Sequence, residues 1–270
     1  MPKKQTKPQS IVLLSDQHVG SVWAWAPEKD DDRDGRENAR WFRDWVRKQW
    51  AEFCDWLPSA AGDNYITVLN GDLIEGVHHG GHELLSKSWA AQCRWAKEML
   101  APVIRGPVYI VKGTECHTHD DEDEIAAAMA GVGFGVVKSS YGIAHDCARI
   151  EVNGLMHWIR HHSGVPGRRW TAEGAVANHL ADVRIDAMTA GHRPPDVLCV
   201  AHGHQFSEAQ GQCGGMAIRT PSWKGIDRYT HKASRAEVPC VGGVVLDYRQ
   251  CQPKEFPHVR KWIKYLEETK

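Results

Sequence analysis

The sequence predicts an α/β protein whose strands end in metal-binding residues. Short apolar runs alternate with amphipathic helical stretches through the first half of the chain, the pattern of a sheet covered by helices. The second half is Gly-rich and strand-like, with a hairpin signal at Asn153-Gly154. Five of the apolar runs stop abruptly at Asp, Glu or His, and ligands in sheets of this kind collect beyond the strand ends.

The elements follow in order. Ile11 to Leu14 is a buried strand that runs into Ser15-Asp16-Gln17-His18. The acidic loop after it, with Glu28-Lys29-Asp30-Asp31-Asp32, is a solvated charge run or a flap over the site. Asn38 to Leu57 places Trp41, Phe42, Trp45, Val46, Phe53 and Trp56 at helical spacing, and Pro58 ends the helix. Tyr65 to Leu69 is the second strand and runs into Asn70-Gly71-Asp72. A helix over about Leu84 to Ile104 leads to the third strand, Val108 to Val111, which runs into Gly113-Thr114-Glu115-Cys116-His117. Glu122 to Ala130 is a short helix with an acidic first turn, as the helix dipole favours. Ala148 to Val152 and Leu155 to Ile159 flank the hairpin turn, and the second of them runs into His161-His162. Thr171 to Ala190 is a helix. Val197 to Val200 runs into His202-Gly203-His204, and Met216 to Arg219 and Val241 to Leu246 are further strands, expected to be mostly antiparallel. The expected organisation is a polar tail over residues 1–10, a single domain over 11–250 and a helical C-terminal extension over 251–270, with Val259, Trp262, Ile263 and Leu266 on one face.

Composition narrows the function. The net charge of −1 gives no global field for a long duplex or an anionic membrane, and no apolar run approaches a membrane span. The N-terminus is polar and basic without the apolar stretch of a secretory signal. The eight cysteines form no Cys-x-x-Cys pair, which predicts free thiols in a reducing cytoplasm and no structural thiolate zinc site. The 16 histidines matter because many fall beside the strand ends.

A hydrolytic dimetal centre needs a bridging carboxylate and ligands private to each metal. Asp16 and His18 lie two apart at a strand end and can face one pocket, Asp72 follows a glycine that permits close approach to an ion, and Gly203 lets His202 and His204 splay toward different metals. Imidazole with carboxylate suits Zn, Fe, Mn or Ni. In this order, Asp16-Gln17-His18, Gly71-Asp72-Leu73-Ile74-Glu75, Gly113-Thr114-Glu115-Cys116-His117, His161-His162 and Ala201-His202-Gly203-His204 resemble the motifs of the calcineurin-like metallophosphoesterases over about residues 11–205. The third motif is similar to the Gly-Thr-x-x-His of the branch seen in phage and prophage genomes.

The resemblance implies a four-layer αββα sandwich, two mixed sheets face to face with helices outside. It implies two divalent ions: Asp16, His18 and His204 on one, Asp72 bridging, and His202 with a strand-end His on the other. It implies in-line attack of a metal-bound hydroxide on a phosphate ester, with His117 stabilising the phosphoryl group or protonating the leaving oxygen. Three departures stand out. The third motif lacks its Asn, and Glu115 is the preferred replacement over Thr114, because a carboxylate binds metal more strongly. Strand alternation admits one of His161 and His162, and His162 is preferred because it is nearer the following loop. Ala201 replaces a Gly. His79, in the Gly-rich loop with His78 and His82, and Arg168, beside Arg169, are candidate substrate contacts against the plainer reading of solvated surface. Trp223, after Thr220-Pro221, is expected in the core, with a wall of the site as the other reading.

The expected substrate is a phosphodiester rather than a monoester: a nucleotide, a small diester or a short single strand. A catalytically inactive binding scaffold is the alternative that the altered third motif supports. A dinuclear amide or lactone hydrolase would begin with His-x-His, not Asp16-Gln17-His18.

Overall fold

Alternation along the first strand sets the layers. In the computed structural model, which describes residues 8–33, 37–78, 83–118, 122–131, 133–162, 171–212, 214–227 and 240–266, β1 (Ser10–Leu14) sends Ile11 and Leu13 to one side and Val12 and Leu14 to the other. Val12 and Leu14 meet Phe42, Val46 and Phe53 of α1 (Glu37–Ala61) and Trp95 of α2 (Trp89–Leu100) in one core. Ile11 and Leu13 meet a second sheet in another.

The first sheet also holds β2 (Ile66–Asn70), β3 (Pro107–Val111), β4 (Gly135–Val136), β10 (Cys240–Asp247) and β11 (His258–Tyr265), in the order β11-β10-β1-β2-β3-β4. Strands β1 to β4 are parallel, whereas β10 and β11 are antiparallel additions. The second sheet has the order β5-β6-β7-β9-β8, from β5 (Ala148–Val152), β6 (Leu155–Ile159), β7 (Val197–Val200), β8 (Ser207–Gln210) and β9 (Met216–Arg219). Its centre, β6-β7-β9, is parallel and only its edges are antiparallel, because α5 (Ala172–Thr189) provides the crossover between β6 and β7. Leu180 and Val183 of α5 pack on Leu198, Val200 and Ala217 of the outer face. The layers are therefore helix, sheet, sheet, helix, the arrangement expected. A single-turn α3 (Glu115–Thr118) and α4 (Glu122–Ala130) follow β3. Asn153 and Gly154 take φ of 56° and 78°, as a tight hairpin turn requires.

Four expectations change. Helix α1 continues through Pro58 to Ala61: Pro58 has no N–H to give to the carbonyl four residues before it, but its own carbonyl still accepts from Gly62 N–H and the helix closes one turn later. The second helix begins later, at Trp89, where Ser88 Oγ caps the Ala91 N–H. The acidic loop is neither solvated nor a flap in its centre: Asp31 is buried against Arg43 and Arg47 of α1, and Asp30 accepts from Trp95 Nε1 at 2.7 Å. The C-terminal segment is strand β11, not a helix. The spacing of Val259, Trp262 and Leu266 also fits a strand, with Val259 facing the inter-sheet core and Trp262 and Leu266 the helix-side core. Pairing with β11 satisfies the backbone of β10, which is buried along its whole length. The seven described cysteines are free thiols, and no helix among the described residues is long and apolar enough to cross a membrane.

Candidate metal centre

The parallel pairing of β1, β2 and β3 carries their C-terminal ends to one edge, and β6 and β7 bring theirs to the same place from the other sheet. The loops there are stitched together. Asp16 N–H donates to Gly71 O, His18 N–H to Asp72 O and Ala201 N–H to His161 O. Of the eight described non-glycine residues with positive φ, five are Asp16, His18, Asp72, His202 and His204, at 48° to 66°. Left-handed backbone at Asp or His costs energy and persists only where surrounding contacts impose it. The strain is thus concentrated on the residues singled out by their motifs.

Their side chains converge. His204 Nε2 lies 3.3 Å from Asp16 Oδ1 and 3.2 Å from His18 Nε2. His18 Nε2 is 3.8 Å from Asp72 Oδ2, and His161 Nε2 is 3.0 Å from the same oxygen. His117 Nε2 approaches it to 3.9 Å, with its ring edge-on to that of His18. His202 takes its place through Nδ1, 3.3 Å from Thr114 Oγ1, and its N–H donates to Asp16 Oδ2.

The second nitrogen of each central imidazole is anchored. His161 Nδ1 donates to Asn70 O at 2.7 Å and His117 Nδ1 to Glu75 O at 2.9 Å. His18 Nδ1 lies 2.9 Å from Glu75 Oε2, bent from the ideal hydrogen-bond line. Three Nε2 atoms are therefore aimed at the two buried aspartates, the orientation in which imidazole ligates metal. Asp16 Oδ1 is buried without a hydrogen bond, although three Nε2 atoms stand within 3.9 Å of it. An orphaned carboxylate oxygen facing mutually opposed imidazole nitrogens fits a divalent cation. Asp16, His18 and His204 form one possible ligand group; Asp16, Asp72 and His161 form another; and His161, His162 and His202 a third.

Charge follows geometry. Burial raises the Asp16 carboxyl, but His204 and His161 outweigh it and hold it at about 2. Burial acts likewise on Asp72, and His161 overcomes it, leaving the group well below the ordinary carboxylate range. Burial lowers His161, yet Asp72 and Asp16 push it up to about 9. His18 is driven down to about 3 by burial and then by the Lys224 ammonium.

Two placements differ from the expectation. His161, not His162, enters the space beside Asp72; His162 is exposed and stands at the rim, its ring 5.2 Å from that of His202. Gly71 makes room for this ring: a Cβ there would lie 2.2 Å from His161 Nδ1. Glu115 opens α3 and is exposed, whereas Thr114 Oγ1 donates to Asp72 Oδ2 at 3.0 Å and its N–H to Asp72 Oδ1 at 2.6 Å. Trp223 is fully buried, and its N–H also donates to Asp16 O. His79 and Arg168 lie outside the described residues. The motifs gave no part to the Glu75 carboxylate, although it closes the second motif, nor to Asn70 or Lys224, and His78, weighed only as a loop substrate contact, meets Glu75 Oε1. For Lys224 there was no signal, because its partner Glu75 is 149 positions away.

The fold and this cluster define a four-layer α/β protein with a candidate metal centre at its strand ends. No protein-family model matches the sequence, and no curated protein matches it. Among solved structures, wild-type Vps29 from Entamoeba histolytica, complexed with zinc, is similar over 95% of this chain and 98% of its own, at 13% identity and a TM-score of 0.44. The sulfate thiohydrolase SoxB from Thermus thermophilus is similar over 97% of this chain and 57% of its own, at 10% identity and a TM-score of 0.43. A purple acid phosphatase from yellow lupin seeds is similar over 97% of this chain and 52% of its own, at 10% identity and a TM-score of 0.41. The case for the site rests on its own side chains.

Proposed function

We propose that the protein is a dinuclear metal-dependent phosphoesterase. The observation that carries this reading is the position of Asp72. Its carboxylate touches His161 and Thr114 on one side and faces His18 on the other, with Asp16 and His204 beyond. Asp16, His18 and His204 would hold one ion and His161 and His202 the other, with Asp72 shared. His162 and Glu115 remain outside this assignment. When bound, divalent ions supply Lewis-acid polarisation of phosphoryl oxygens and a water of low pKa as nucleophile.

The chain's own residues do the rest. Because the Nδ1–H of His117 is given to Glu75 O, Nε2 is the atom that faces the centre and can take up or release a proton. In the protonated form Nε2–H donates to a phosphoryl oxygen or to the departing oxygen, which is general acid work. Thr114 keeps both Asp72 oxygens in place. Thr114 and His117 both enter the site, which supports the Gly-Thr-x-x-His reading of the third motif.

Within this class we favour a phosphodiester: a nucleotide, a small diester or a short single strand. A net charge of −1 supports a short substrate over a long duplex. The test is turnover by metal-stripped protein given Mn, Zn, Ni or Mg, on bis-p-nitrophenyl phosphate and p-nitrophenyl phosphate. The expected result is metal-dependent diester hydrolysis that Asp72→Asn reduces by at least about a hundredfold, a loss of roughly 3 kcal/mol of transition-state stabilisation. Monoester turnover alone would reverse the substrate preference, and no turnover with any metal would favour a binding scaffold.

A further inference from the structure

A buried cation stands behind the centre. Lys224 is 4% exposed, and its Nζ lies 3.0 Å from each oxygen of Glu75 and 2.7 Å from Asp227 Oδ2. Glu75 is buried too. Its Oε2 lies 2.9 Å from His18 Nδ1, and its Oε1 is 3.0 Å from His78 Nε2. An unbroken chain of contacts thus runs from Asp227 through Lys224 and Glu75 to His18, one of the three residues around Asp16.

The turn that carries Lys224 is rigid for reasons of packing. Trp223 is buried against Trp50 and Phe53 of α1 and stacks on Trp262 of β11. Its N–H donates to Asp16 O, Ser15 Oγ donates to Pro221 O, and Gly225 N–H donates to Trp23 O. The turn is therefore tied to the loop that carries Asp16 and His18, and the ammonium arrives in a fixed place.

We propose that Lys224 is a positioning residue for the metal position of Asp16, His18 and His204: it clamps both oxygens of Glu75, and Glu75 in turn fixes the ring of His18. This rests on the dinuclear-centre reading above. An ammonium has three protons and no acceptor, and here three carboxylate oxygens surround it, so its donors are used up on Glu75 and Asp227. With both oxygens held, the Glu75 carboxylate has a defined plane. Oε2 then meets His18 Nδ1 in one orientation, which leaves His18 Nε2 turned toward Asp16 and His204. Residues that orient a metal-binding imidazole through its far nitrogen change metal affinity without touching the metal.

The test is calorimetric titration of the metal-stripped protein with Mn, joined to nitrogen NMR of the histidine rings in the metal-free protein. Lys224→Met combined with Asp227→Asn removes one buried charge of each sign. Glu75→Gln is the second variant, and Lys224→Arg keeps the charge. The wild type is expected to give two binding steps. The double variant and Glu75→Gln should weaken one step about 10–100-fold and leave the other in place, while Lys224→Arg retains most of the affinity. In the metal-free protein the His18 ring should lose its single tautomer in the double variant. Two unchanged steps with an unchanged His18 signal, or equal weakening of both steps, would overturn the proposal. If the double variant does not fold, Glu75→Gln and the His18 signal of Lys224→Arg decide. A wild type that takes up no metal overturns the centre itself, an outcome distinct from a variant that binds as wild type does.

Discussion

His161 owes its place to two partners about ninety positions earlier: the carbonyl of Asn70 and the bare Cα of Gly71. Neither is visible from the His161-His162 pair. Strand alternation states that one of the two faces the centre, and only the packing of β2 against β6 selects which. The same holds for the third motif. Carboxylate chemistry favours Glu115, but the chain turns into α3 at that residue, and Thr114 is the last position directed at Asp72. By contrast Asp16, Asp72, His202 and His204 were legible, because each sits within two residues of the end of a buried strand or follows a motif glycine, and His18 was legible through its Asp-x-His spacing from Asp16. We expect Thr114→Ala to weaken metal binding about 10–100-fold and Glu115→Ala to leave it near wild type. Likewise His161→Ala should lose metal where His162→Ala keeps it, which occupancy measured by atomic emission will check. The raised His161 adds a pH signature. In the metal-free protein it holds a proton up to about 9, stabilised by Asp72 and Asp16, and an incoming cation must displace that proton. Apparent metal affinity at the position that includes His161 should therefore rise about tenfold per pH unit toward pH 9, with about one proton released there. Titrations in buffers of different ionisation enthalpy measure that release, and a pH-independent affinity at this one position would remove His161 from the ligand set.

At the scale of elements, the parallel run β1-β2-β3 and the pair β6-β7 were read from apolar stretches, and their edges of convergence followed. The closing segment was not, since Val259, Trp262 and Leu266 satisfy a helical and an extended spacing equally. What decided between them was the need of β10 for a second neighbour, a tertiary demand. The two sheets are also joined by a polar link in the inter-sheet core. His157 of β6 is fully buried, its Nδ1 donates to Ile150 O, and its Nε2 accepts from the Tyr248 hydroxyl, 2.6 Å away, just after β10. Burial lowers this imidazole to about 4, below its ordinary 6.5. The sign follows directly. Below pH 6.5 the unfolded chain takes up a proton that the folded protein refuses, so the stability from neutral His157 is full above 6.5 and is lost as pH falls toward 4. The loss over that window is on the order of 3 kcal/mol. Urea unfolding at pH 7.5 and 4.5 will measure it. A His157→Gln variant should be less stable than wild type at pH 7.5 and lose less on acidification, and an equal acid loss in both would assign the effect to other groups.

The whole molecule is two sheets held face to face so that five loops from both meet at one edge. The long helices bury the outer faces through Phe42, Phe53 and Trp95 on one side and Leu180 on the other. That division explains why strain is affordable at the centre: left-handed Asp and His are imposed by loops whose ends are fixed in closed cores. It also explains why the aromatic richness of the chain served packing, with Trp223 both a core residue and the anchor of the Asp16 loop. The central claim is that Asp72 is shared between two ions. Anomalous diffraction from crystals grown with Mn tests it most directly. Two peaks are expected about 3.5–4 Å apart, one among Asp16, His18 and His204, the other beside His161 and His202, with Asp72 touching both. One peak, none, or two peaks without Asp72 between them would contradict it.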